Sequence, residues 1–322
     1  QALSSLDLEL SKRYAINKAW ISEINNVSQA TNRLTRAIES FSRYLPREVV
    51  RLLLLDDRTA ELGGNSENIA VMFTDIENFT SYTESIETQE LFSYLNEYFT
   101  ELTEQVLASR GTVDKYIGDS LMVMWGMPTP LTNPCELACE TAIALRNASN
   151  RLRDEWAQQN APLRFNTRIG LHYGEAIVGN VGAADRFNYT MVGDTVNLAS
   201  RLEGANKTYK TNIIVSHALL AQLEQEQALH RFAFRMIGEV KVKGKSKSTI
   251  IYELYDQRCS LRQPQIEALD AWNCIMKRAI DGGNLAALEQ LAAGNEELRA
   301  HPLLIQLKQE LESSAKSIHH TT

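Results

Sequence analysis

The order of strand and helix signals between residues 66 and 256 limits the possible folds more than any other feature of the chain. An apolar run, AVMFTD, ends at Asp75 and reads as a strand. Leu91, Leu95, Phe99, Leu102 and Val106 then fall on one helical face. TVDKYIGDSLMVMWG reads as two short strands around a Gly118-Asp119 turn, and a helix follows Pro134. LRFNTRIGLHYGEAIVGNVG reads as a further strand pair, broken at Gly174. TVNLASRLEGANK reads as a helix capped by Gly204, NIIVS as a strand and HALLAQLEQEQ as a helix, with strands predicted over 231–243 and 249–255. This β-α-β-β-α-β order with hairpins predicts an α+β domain of ferredoxin-like type, an antiparallel sheet with helices packed on it. Strict βαβα alternation, the mark of a doubly wound fold, is not what the chain carries.

The flanks read differently. Ile24, Val27, Thr31, Leu34, Ile38, Phe41 and Leu45 recur at alternating spacings of three and four, the seam of a parallel helix pair. Pro46 stops that helix, and PREVVRLLL restarts a short one. Residues 260 to 322 are Ala/Leu-rich and helical in pattern, punctuated by Gly282-Gly283 and Pro302. The expected organisation is a coiled-coil helix over 1–45, a connector over 46–65, the α+β domain over 66–256 and a helical extension over 257–322.

Hydrophobic content of 44% and charged content of 23% fit a globular protein, and a net charge of -7 argues against a nonspecific nucleic-acid binder. No apolar run approaches the roughly 20 residues that span a bilayer, and no signal peptide opens the chain. The chain begins at Gln1, not Met, which reads as a fragment or processed form. Cys135 and Cys139 are four apart in a helical pattern, and nothing nearby completes a zinc site, so with Cys259 and Cys274 they read as reduced thiols of a cytosolic protein.

The chemistry begins with two aspartates. Asp75 and Asp119 each sit where a strand meets a turn, bracketed by apolar residues. A strand that simply ends at the surface, or a hairpin-turn aspartate, would give either pattern alone. If the first strand and the hairpin lie side by side, the two carboxylates converge at one sheet edge. With no Cys or His beside them, such a pair suits hard cations, Mg²⁺ or Mn²⁺, and two-metal phosphate chemistry. Asn197 and Arg201 are i and i+4 on one helical face. Lys241, Lys243 and Lys245 alternate into a Gly turn, which fits either a guarded strand edge or a polyphosphate contact.

Taken in order, FTDIENFT, DKYIGDSLMVMWG, RFNYTMVGDTVNLASRLE and VKGK are similar to the motifs of the class III nucleotidyl cyclase catalytic domain. The resemblance spans roughly residues 66 to 256. It implies that Asp75 and Asp119 bind two divalent cations, with the Ile76 carbonyl as a further ligand. The backbone from Asn78 through Phe79 to Thr80 resembles the turn that cradles phosphates. Asn197 matches the residue that orients the ribose, and Arg201 the one that stabilises charge on the α-phosphate. Lys243 matches the lysine that holds the terminal phosphates, with Arg168 a second candidate for that task. Lys115 and Thr190 occupy the positions that read the purine. In this family the metal-binding and base-reading sets come from opposite subunits, so a homodimer forms two equivalent sites.

Adenine offers an acceptor at N1 and a donor at its amino group, and guanine reverses both. Lys115 can only donate and the Thr190 hydroxyl can accept, so the pair fits ATP. The guanylate-specific members carry Glu and Cys there. Two positions depart from common family usage: Asn78 stands where many members have Gly, and Thr190 where mammalian membrane cyclases have Asp. Asn tolerates left-handed backbone, so the turn is expected to survive. The expected activity is conversion of ATP to cyclic AMP and pyrophosphate. The rivals are a guanylate or base-relaxed cyclase and a non-catalytic dimerisation module; polymerase chemistry lacks a basic template surface here. The expected setting is a cytoplasmic catalytic domain whose sensor or membrane anchor lies upstream.

Overall fold

The computed structural model describes residues 22–41, 61–241 and 248–280, with 44, 46, 49 and 50. Among these, the residues of Ser66–Ala176 and Val192–Thr322 form one unit, and those of Gln1–Asn65 with Ile177–Met191 another.

The larger unit is organised by β1 (Gly63–Ile76), whose residues 69 to 74 are buried on both sides. A strand buried on both sides must be covered by helices on both faces. β1 pairs antiparallel with β3 (Ser120–Trp125), from Ala70 opposite Trp125 to Thr74 opposite Leu121. β2 (Thr112–Ile117) completes the hairpin on the other edge of β3. The sheet runs β2-β3-β1-β4-β6-β8-β7, with β4 over Thr167–Ala183, β6 over Ile213–Ser216, β7 over Phe232–Lys241 and β8 over Ser248–Gln257.

Alternation along the strands sends two sets of side chains to two cores. On one face Ala70, Met72, Leu121, Val123, Trp125, Ile169 and Leu171 meet three helices: α3 (Thr88–Ala108), α4 (Pro134–Gln158) and α6 (His217–Gln225). On the other face Ile214, Met236, Ile237 and Ile251 meet α5 (Asp194–Tyr209) and α7 (Gln263–Ile280) through Leu198, Leu202, Trp272 and Met276. The period-2 strand pattern thus puts Asp75, Arg168 and Gly170 on the α5 face, because Met72, Thr74, Ile169 and Leu171 point the other way.

Four readings of the sequence are corrected. The sheet is mixed, not antiparallel throughout: β4 and β6 pair in parallel, Ile169 opposite Ile213, because α5 carries the chain back to the same end of the sheet. Gly174 does not break a strand pair; β4 runs straight through it. That glycine is a close approach, since a Cβ there would lie 2.9 Å from Thr195 Oγ1. The hairpin partner of β4 is instead β5 (Arg186–Val192), in the smaller unit over most of its length. Gly204 does not cap α5, which continues to Tyr209 and ends on Lys210 in the left-handed region, φ 51°.

In the smaller unit α1 spans Ser22–Phe41, and Val27, Leu34 and Phe41 of its heptad seam are exposed. No helix among the described residues is long and apolar enough to cross a membrane. Leu45, most of the 46–65 connector and the extension beyond Ile280 lie outside the described residues.

α5 rests directly on β4 at Gly170, where a Cβ would stand 2.1 Å from Glu203 N and 2.4 Å from Ala199 O. Backbone atoms on both sides leave nothing flexible to give way. Gly170→Ala should therefore cost about 3 kcal/mol or more, at the upper end of overpacking effects. A chemical denaturation midpoint close to that of the parent would show that α5 can lift off.

Candidate active site

Asp75 is delivered by the end of β1 and Asp119 by the β2–β3 turn, and antiparallel pairing of β1 with β3 brings the two together. Three hydrogen bonds fix the edge. Leu121 N–H donates to the buried Thr74 hydroxyl at 3.2 Å, Ser120 Oγ donates to Asp75 Oδ1 at 3.2 Å, and Ile76 N–H donates to Asp119 Oδ2 at 3.1 Å. Ile76 itself is 1% exposed, so its side chain anchors the strand end while its backbone faces the carboxylates.

The turn after Ile76 is clamped from below. Glu77 N–H donates to Asn166 O at 2.9 Å, and Asn166 Nδ2 donates back to Glu77 Oε2 at 2.8 Å. Phe165 meets four rings edge-on, those of Phe79, Tyr82, Tyr98 and Trp156, at centroid distances of 5.3 to 6.1 Å. Such pairs are worth about 0.5–1.5 kcal/mol each beyond burial. Phe79 is therefore a packing anchor through its ring. Asn78 takes the left-handed conformation, φ 57° and ψ 30°, and precedes the short helix α2 (Phe79–Ser85) to which Thr80 also belongs. The expectation that Asn would serve where many family members have Gly holds in the backbone.

Arg168 in β4 is drawn into the same edge. Its Nη2 pairs with Asp75 Oδ2, and its Nε lies 3.2 Å from Glu203 Oε1. The side chains of Arg168, Asp75 and Glu203 are only 13%, 21% and 15% exposed, so these charges act through a poorly screening medium. Glu203 was not singled out in the sequence. The signal available was Gly170, whose missing side chain admits the backbone of α5 at Glu203.

The carboxylates pay for their proximity. Asp119 is pushed up to about 6, by burial first and then by the charge of Asp75 and a hydrogen bond with it, against the Ile76 N–H. Glu203 is pushed up to about 7 by burial and by Asp75, with Arg168 opposing. Hard oxygen donors held together against their own repulsion are of the kind that suits a divalent cation, and Asp75 and Asp119 are two such donors. Among the described residues no group of three or more His, Cys, Asp or Glu is placed to hold a metal.

Asn197 and Arg201 are both exposed on α5, whose buried positions Val196, Leu198, Ala199 and Leu202 hold the opposite face. Lys115 stands in β2 beside a bulge, with Nζ 3.4 Å from Asp114 Oδ1. Thr190 is 7% exposed in β5 of the smaller unit. Lys243 lies outside the described residues. Asp75, Ile76, Asp119 and Arg168 thus form one cluster in a single chain.

The raised Asp119 pKa has a thermodynamic consequence. The folded state holds this proton more tightly than the unfolded chain, so ionisation costs stability as pH rises from about 4 through about 6. Asp119→Asn should remove that part of the fall. The expected gain at pH 7 in chelator is about 2–4 °C in Tm, what roughly 1 kcal/mol gives a domain of this size, with a half-exposed carboxyl discounted for screening. A pH profile unchanged by the substitution would refute the crowding of the two carboxylates.

The model of the adenylate and guanylate cyclase catalytic domain matches residues 63–255. "Adenylate cyclase 1" of Rhizobium meliloti (strain 1021) is 38% identical over 237 residues, 73% of this chain and 34% of that protein. The adenylate cyclase of Anabaena cylindrica is 31% identical over 246 residues, 73% of this chain and 47% of that one. The chain thus spans less than half the length of these two relatives. The crystal structure of the adenylyl cyclase CyaB from P. aeruginosa superposes with a TM-score of 0.56 at 33% identity, covering 62% of this chain and all of that one. The strand-end carboxylates, the left-handed turn at Asn78 and the helix of Asn197 and Arg201 lie within the matched residues, and this chain belongs to the adenylate and guanylate cyclase catalytic domain family.

Proposed function

We propose that the chain is an adenylate cyclase that forms 3′,5′-cyclic AMP and pyrophosphate from ATP at sites shared between two copies. The observation that carries the reading is the convergence of Asp75 and Asp119 at one sheet edge with Arg168 beside them. Two divalent cations, Mg²⁺ or Mn²⁺, would be held by Asp75, Asp119 and the Ile76 carbonyl, and would supply ionisation of the 3′-hydroxyl and neutralisation of phosphate charge.

The chain's own groups do the rest. The 3′-hydroxyl attacks the α-phosphate in line, and pyrophosphate leaves. Backbone N–H groups from Asn78 to Thr80 hold phosphate oxygens, and Lys243 and Arg168 bind the terminal phosphates. Asn197 orients the ribose, and Arg201 acts on charge that develops in the transition state. Exposure of both on α5 favours service to the site of a second copy, where the partner contributes the carboxylates. Lys115 donates to adenine N1 and Thr190 accepts from the amino group. Guanine would leave each mismatched, at about 1–3 kcal/mol apiece.

A guanylate or base-relaxed cyclase is the second reading, since the matched family includes both activities. Incubation with ATP or GTP and Mn²⁺ or Mg²⁺ separates them. Cyclic AMP should dominate and vanish in Asp75→Ala, and Lys115→Glu with Thr190→Cys should move preference toward GTP. Cyclic GMP formed in preference to cyclic AMP by the parent would overturn the ATP assignment.

We further infer that the exposed seam of α1 pairs two copies and that signals from an upstream sensor enter there. Leu34→Lys with Ile38→Lys should lower both the dimer fraction in sedimentation and the cyclase rate, by about tenfold for each roughly 1.4 kcal/mol of lost association. A stable, fully active dimer would separate α1 from assembly.

A further inference from the structure

We propose that Glu203 is a positioning residue that receives Arg168 when Asp75 engages a cation. The inference rests on the reading of Asp75 as a cation ligand. Arg168 lies between two carboxylates it does not serve equally. Its Nη2 pairs with Asp75, while its Nε and Glu203 Oε1 face each other at 3.2 Å outside hydrogen-bond alignment. Both of those atoms are buried; they are each other's ion-pair partner but make no aligned hydrogen bond. An unsatisfied buried pair in a native structure calls for a reason.

The rigid fork of the guanidinium supplies it. Its five N–H groups have a fixed mutual geometry, so seating Nη2 on Asp75 turns the Nε edge off Glu203. The guanidinium contacts both carboxylates in this structure, and a cation on Asp75 would shift it toward Glu203 by occupying the Asp75 oxygens and repelling the guanidinium.

Glu203 cannot follow Arg168 away, because its backbone is pressed onto β4 at Gly170 and Asn206 Nδ2 donates to Ile169 O at 2.9 Å. The receiver is therefore fixed while the guanidinium swings. In the received position Arg168 stays at the rim of the carboxylate pair, free of Asp75 and available to an incoming polyphosphate. Without Glu203, Arg168 remains on Asp75 and competes with the cation.

The test is Mn²⁺ binding to the nucleotide-free full chain, read from the electron paramagnetic resonance signal of free Mn²⁺. Glu203→Gln should weaken binding about tenfold, the scale of one neighbouring charge at a carboxylate. Arg168→Gln should tighten it, and adding Glu203→Gln to Arg168→Gln should change it less than about twofold, since the effect runs through Arg168. Glu203→Asp keeps the charge and shortens the reach, so it should weaken binding as well. Equal weakening by Glu203→Gln in both backgrounds, or no weakening by Glu203→Asp, would reduce Glu203 to a nearby charge and overturn the inference. Mn²⁺ binding that survives Asp75→Ala overturns the cation site itself. Binding lost in Asp75→Ala but indifferent to Glu203 overturns only the receiver.

Discussion

Direct contact between the backbone of α5 and β4 at Gly170 is the constraint from which the site geometry follows. With a side chain at that position the helix would stand off, and the residues it carries would shift with it. The contact is reinforced by Asn206, which is 1% exposed and whose Nδ2 donates to Ile169 O at 2.9 Å. One helix then holds two sets of groups in fixed relation. Asn197 and Arg201 face outward, while Glu203 faces Arg168 and, through it, Asp75. On a straight helix the step from Arg201 to Glu203 turns by about 200°, so adjacent members of one motif serve opposite directions. If Asn197 and Arg201 act in a second copy's site, α5 links that site to the carboxylates of its own chain.

The electrostatics of the edge work against folding. Burial and mutual repulsion raise Asp119 to about 6 and Glu203 to about 7. A fold selected for stability alone would replace such carboxylates with apolar groups of similar size. Here they sit on a rigid strand end and a tight hairpin, clamped by Thr74, Ser120 and the Ile76 N–H. Strand ends position ligands more tightly than loops do, and the cost is carried by the two packed faces behind them.

Much of this could be read from the chain. The carboxylate pair was legible because strand hydrophobicity stops abruptly at Asp75 and because the Gly118-Asp119 turn lies between two apolar runs. The left-handed turn at Asn78 was legible through the family resemblance, in which many members carry Gly there; Asn tolerates positive φ, and the backbone adopts it. Apart from the parallel pairing of β4 with β6, the departures share one cause, the reading of glycine as punctuation. Gly174 and Gly204 both looked like ends of elements. Gly174 instead admits Thr195 to a continuous strand, and Gly204 lies in the exposed interior of α5. A local pattern cannot tell a glycine that frees the backbone from one that makes room for another element, because the second meaning depends on contacts distant in sequence.

The same limit hid Glu203. Nothing in RLEG distinguishes an acidic residue facing solvent from one facing an arginine on a neighbouring strand. Helical phase alone places Glu203 near Ala199 and Asn206, both buried, and so on the inner side of α5. An acidic residue on an inner helix face needs a cationic partner, since an unpaired buried carboxylate is costly. Arg168, two residues from the glycine that brings α5 down, meets that requirement. Paired reading of close-approach glycines with inward-facing charges therefore reaches a link in the site that motif order alone does not.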